Sequence, residues 1–100
     1  MSVLVVVKVS GDTATFQKAL ADRADEFVAV GDRAKQMGAI HHRFGIGDGV
    51  VVAVDEWETV EAFEQFFGDP KMKEFVASIG ASPVPPEITI AEAIASPDEF

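Results

Sequence analysis

The chain of 100 residues has no cysteine, no tyrosine and no asparagine, and it has only two histidines. Without cysteine there is no disulfide frame and no thiolate metal site. Basic residues are also scarce: 8 Lys and Arg stand against 17 Asp and Glu, a net charge of −9. A field of that sign repels polyanions, so nucleic acid and anionic membrane surfaces are poor partners. No run approaches the ~20 apolar residues that span a bilayer. The N-terminal "MSVLVVVKV" lacks a basic start and a small-residue cleavage site, so it reads as a strand rather than a signal peptide. These absences predict a soluble, cytoplasmic, single domain over residues 1–100, with a core over 2–95 and a polar tail over 96–100.

What is present is an apolar chain. Apolar residues make up 48% of it, too many for an acidic disordered segment. "SVLVVVKV" is a β-branched strand stopped by Ser10-Gly11-Asp12. From Thr13 to Met37 the residues Phe16, Leu20, Phe27, Val30, Ala34 and Met37 form one helical stripe. Asp12 or Thr13 caps its start and Gly38 ends it, while Gly31 inside it is a possible break. Residues 39–46 and 50–57 read as two strands of a hairpin joined through "GDG". Val60, Phe63, Phe66 and Phe67 mark a second helix capped by Thr59, and Asp69-Pro70 restarts a short one. "GASPVPP" is a rigid loop and "EITIAEAI" a last strand.

The order β-α-β-β-α-β predicts an α+β, ferredoxin-like fold with a four-stranded antiparallel sheet and its helices on one face. "VLVVV" and "VVVAV" are nearly all apolar, as central strands covered on both faces are. Two helices can cover only one face of a four-stranded sheet. The uncovered face predicts a homodimer packed sheet to sheet, which closes a barrel.

Here the chain resembles the dimeric α+β barrel superfamily, and within it the antibiotic-biosynthesis-monooxygenase-like proteins. The likeness spans residues 2–95 and is most specific in "VAVDEWETVEAFEQFFGDPKMKEF". That segment looks like the family's strand ending in Glu-x-Trp, its capped helix and its "H-x-x-S-P-H-F" stretch. Trp57, Thr59, Pro70 and Phe75 keep the pattern. Phe66 and Lys71 stand where many members have histidines, and Asp69 replaces the serine. Some family oxygenases use an asparagine that this chain does not have. What the resemblance implies is therefore the fold rather than the oxygenase chemistry.

The candidate site lies in "AIHHRFGIGDGVVVAVDEW". Successive strand residues face opposite ways, so His41 shares a face with Arg43, and His42 with Ile40, Phe44 and Ile46. The two histidines cannot ligate one metal from this strand. A two-residue Asp48-Gly49 turn sets His42 opposite Asp55; a three-residue loop sets His41 there instead. Either acid–imidazole pair holds the ring in one tautomer, as a general base needs, or is simply a cross-strand pair. If a site exists, it is predicted near His42, His41 and Asp55 as catalytic candidates, with His42 favoured. Arg43, Trp57, Phe63, Phe66 and Phe67 are the candidate ligand contacts, although a lone tryptophan and helically spaced phenylalanines are more often core. "GIGDG" joins two strands and so is no dinucleotide loop. No metal and no cofactor is expected. Three functions remain open: binding of a small apolar or aromatic molecule, a cofactor-independent monooxygenase or isomerase, and an assembly module without ligand.

Overall fold

The computed structural model describes all residues 1–100. The elements are β1 (Val3–Ser10), α1 (Thr13–Asp22), α2 (Ala24–Met37), β2 (Ala39–Gly47), β3 (Val50–Trp57), α3 (Val60–Phe67), α4 (Pro70–Ser78) and β4 (Glu87–Glu92). They form one antiparallel sheet in the order β2-β3-β1-β4, with the two most apolar strands in the centre. This is the ferredoxin-like α+β arrangement.

Pairing fixes what each strand shows to each side. Val5 and Val7 of β1 are buried under the helices, and their neighbours Leu4 and Val6 point to the uncovered face. On β3, Ala53, Asp55 and Trp57 lie opposite Val7, Val5 and Val3 on the helix side, whereas Val52, Val54 and Glu56 face away. Leu4 is 45% exposed and Val54 52% exposed on that open face. It is the apolar surface left over when the helices cover only the other face.

The stripe over residues 13–37 is two helices, not one, and the break falls at Arg23 rather than at Gly31. Arg23 leaves helical geometry at φ −122°, ψ 34°. Its guanidinium donates to the carbonyl and hydroxyl of Ser78, at 3.3 and 3.0 Å, and lies over the Phe75 ring. The break sits inside the stripe's seven-residue gap between Leu20 and Phe27, so no core contact is lost there. Gly31 stays helical.

Helix ends follow local chemistry. The Asp12 carboxylate accepts from the N–H groups of Ala14 and Thr15, and the Thr59 hydroxyl accepts from Ala62 N–H. Asp69 caps α4 with Pro70 in its first turn. Gly38 closes α2 at φ 121°, where a side chain would be strained and a Cβ would stand 3.3 Å from Ala62.

The core is small and divided. One cluster is Val5, Val7, Trp57, Phe63 and Phe66. The other is Phe16, Ala19 and Ile79. The space between sheet and helices that neither cluster fills is the candidate site.

Candidate functional site

The hairpin turn settles which histidine meets the acid. Gly47 pairs with Val50, so Asp48-Gly49 is a two-residue turn. Gly49 alone takes positive φ, at 68°. The register then sets His42 opposite Asp55 and His41 opposite Glu56, with an irregularity between Ala39 and His41. His42 Nδ1 lies 2.6 Å from Asp55 Oδ1. A carboxylate only accepts, so Nδ1 donates this bond, and in the neutral ring Nε2 is then the acceptor.

Asp55 is an inward-facing acid on a central strand. Its side chain is 11% exposed, with Val5 beside it on β1. A carboxylate there is costly unless its oxygens are bonded. Both are: Oδ1 takes His42, and Oδ2 accepts from the indole N–H of Trp57 at 3.2 Å. His42 itself is 45% exposed and marks where the interior opens to solvent.

A cavity of about 500 Å³ lies between the sheet and the helices. His42, Asp55, Trp57, Phe63, Phe66 and Phe67 all border it. Two aromatic groups form its walls. At one end Trp57 meets Phe63 and Phe66, at 5.7 and 5.3 Å between ring centres, and Phe67 stacks on Phe63. At the other, Phe44 meets Phe16 at 5.0 Å and Phe27 meets Phe75 at 5.1 Å, edge to face. The His42 ring stands edge-on to Phe44 at 4.5 Å. The imidazole thus enters a largely apolar space, which Asp55, His41, Asp12 and Lys35 also border.

Phe16, Phe27, Phe44 and Phe75 were not among the candidates from sequence. The signal for Phe44 was its alternation with His42; the other three sit in helical stripes that read as core. Arg43 lies opposite Val54 on the open sheet face and does not border the cavity. His41 borders it near the strand irregularity, although its register partner Glu56 faces away. Lys8 is also on the open face, 3.7 Å from Glu87. No three carboxylate or imidazole side chains converge as a metal ligand set.

Away from the cavity, Arg33 ties α2 to the start of α4. It is 2.5 Å from Asp69 Oδ2 and lies over the Phe66 ring. The Lys71 backbone N–H, and then the Arg33 charge, hold the Asp69 carboxyl below the usual 3.8.

No protein-family profile and no curated protein matches the chain. Solved structures do. A monooxygenase from Streptomyces coelicolor, ActVA-Orf6 in complex with nanaomycin D, is 22% identical at TM-score 0.66, over 95% of this chain and 89% of that one. The fold is that of the antibiotic-biosynthesis-monooxygenase-like proteins. Rv0793 from Mycobacterium tuberculosis superposes at TM-score 0.64 with 16% identity, covering 98% of this chain and all of that one. SnoaB, a cofactor-independent oxygenase from Streptomyces nogalater, superposes at 0.60 with 15% identity and 98% of each chain covered. Identities this low establish shared architecture, and function has to be argued from the cavity's own residues. No helix is long and apolar enough to cross a membrane.

Proposed function

We propose that the protein binds a small, planar, apolar molecule bearing an acidic hydroxyl in the cavity between sheet and helices. His42 Nε2 accepts the hydroxyl's hydrogen. The observation that carries this reading is the inward-facing acid: Asp55, 11% exposed, sits on an otherwise apolar face of β3 and holds one ring nitrogen of a half-exposed histidine. A cross-strand pair with no further role does not need its carboxylate inside. The cavity's aromatic edges suit a flat ring system, and the imidazole is the polar group beside them.

The protein acts as a homodimer in this reading, its open sheet face covered by a second copy through Leu4, Val6, Val52 and Val54. Self-association removes an apolar surface and leaves the cavity on the opposite side of the sheet.

A matched pair of probes tests the binding mode. 2-Naphthol and 2-methoxynaphthalene have the same ring system, but only the first donates a hydrogen bond. Wild-type protein should bind 2-naphthol about tenfold more tightly, the equivalent of one hydrogen bond of ~1.4 kcal/mol. His42→Ala should bind both alike. Equal affinity of the wild-type protein for the two, or no binding of either at millimolar concentration, overturns the reading.

The bare Nε2 also favours a second reading, in which binding leads to chemistry. With an activated methylene in the cavity, His42 removes a proton and the carbanion is oxidised by dioxygen. The methylene becomes a carbonyl, and the second oxygen atom leaves as water with the two hydrogens. Anthrone is a suitable probe, since its conversion to anthraquinone obeys that balance. Oxygen uptake above the buffer rate that disappears in His42→Ala supports an oxygenase. Uptake equal in the two proteins rejects it.

A further inference from the structure

Asp55 and Trp57 are two residues apart on β3, so their side chains stand side by side on one face of the sheet. Trp57 is 1% exposed and is the largest fully buried side chain. A buried indole N–H needs an acceptor. Its inward-facing neighbours on β1 and β3 are Val3, Val5 and Ala53, none of which has a side-chain acceptor. Asp55 Oδ2 takes the bond, which leaves Oδ1 turned to His42.

We propose that Trp57 is a positioning residue rather than a ligand-stacking one: its indole N–H fixes the Asp55 carboxylate so that His42 is held as the Nδ1–H tautomer with Nε2 free. The neutral histidine side chain in water favours the opposite tautomer, with the proton on Nε2. The Nδ1–H form therefore has to be imposed. A carboxylate bonded at one oxygen only can rotate about its Cβ–Cγ bond. With both oxygens engaged, by a ring that cannot move in the core and by one that lines the cavity, rotation is blocked. Rigid support of this kind is what holds an acid–base group in one geometry. The indole face meanwhile packs on Phe63 and Phe66, 5.7 and 5.3 Å away, so the ring is occupied by the core.

The assignment deepens the function proposed for His42, but its test needs no ligand. Imidazole nitrogen shifts, read through long-range proton couplings in uniformly labelled protein at alkaline pH, report the tautomer directly. Wild-type protein should show His42 with a protonated Nδ1 and a bare Nε2. Trp57→Phe keeps an aromatic ring and removes the donor. It should lower the Nδ1–H to Nε2–H ratio of His42 about tenfold, the share of one hydrogen bond. His41, whose register partner is Glu56 and not Asp55, should not change and serves as the internal control.

A second variant covers the case in which Trp57→Phe does not fold. The chain has one tryptophan, so its indole N–H gives a single unambiguous resonance. Asp55→Ala should move that resonance upfield and speed its exchange with solvent about tenfold or more. An unchanged His42 tautomer in Trp57→Phe, or an unchanged indole resonance in Asp55→Ala, overturns the assignment. If both change as stated and the naphthol preference is absent, the positioning role stands and the proposed function falls.

Discussion

Gly31 offers a direct way to change the cavity and the stability together. It lies in the middle of α2 and borders the cavity, and a Cβ built there meets no atom within 4 Å. Its φ is not positive, so alanine fits without strain. In a helix interior glycine costs about 0.8–1 kcal/mol relative to alanine, mostly through the freedom of the unfolded chain. Gly31→Ala should therefore stabilise the fold by about 0.5–1 kcal/mol. For a domain of this size that raises Tm by about 2–8 °C. Circular dichroism melts at one fixed protein concentration measure it, since a dimer's Tm depends on concentration. Gly31→Leu has the same helical advantage and adds apolar volume to the cavity. It should melt no lower than Gly31→Ala while losing affinity for 2-naphthol. The pair separates stability from binding, the trade expected where a gap is kept open for a ligand. A fall in Tm for Gly31→Ala would refute the placement of its Cβ in open space. Undiminished 2-naphthol binding by Gly31→Leu would refute the cavity as the site.

Two further outcomes follow from other parts of the molecule. Val54→Asp places a charge at the centre of the open sheet face, where Val54 is 52% exposed; light scattering should show wild-type dimer and variant monomer or aggregate, and a monomeric wild type at micromolar concentration rejects the sheet-to-sheet association. Asp69 has a folded-state pKa below the usual 3.8, set by the Lys71 N–H and by Arg33, so it contributes stability above the unfolded value that is lost as pH falls through the folded one. Asp69→Asn keeps the helix cap and removes that titration, so its stability should fall less steeply than wild type below about pH 4, and parallel acid limbs for the two proteins would contradict the assignment.

Most of the sheet is legible in the sequence because its physics is local. Alternation and β-branching mark the strands, and the continuous apolar runs of β1 and β3 identify the central ones. The hairpin was legible down to two registers, and the turn's backbone chose between them. The break at Arg23 was not legible. It is stabilised by contacts with Ser78 and Phe75, more than fifty positions along the chain, and nothing near Arg23 announces them. The site divides in the same way. His42, Asp55 and Trp57 lie on or beside one hairpin, so strand alternation brings them to one face. The far wall, with Phe16, Phe27 and Phe75, comes from helices whose apolar stripes look the same whether they fill a core or line a gap.

That ambiguity has a physical origin. Eight of the 100 residues are buried, few for a chain with so many apolar side chains. The missing burial is on two sides of one sheet. Outside, Leu4 and Val54 face solvent; inside, Phe44, 37% exposed, borders a cavity instead of packing shut. Small domains commonly complete their burial with a second copy. A ligand does the same, and at a hundred times its dissociation constant adds about 2.7 kcal/mol to stability. Both additions act through β3, where Val54 points outward and Asp55, one residue on, points in toward His42. A shift of one residue in the register of β3 would exchange those two side chains. It would bury a charge in the proposed dimer face and strip the cavity of its acid. The pairing of β3 with β1 and β2 therefore underlies both the proposed association and the proposed site, which is why an acid can sit in the middle of so apolar a strand.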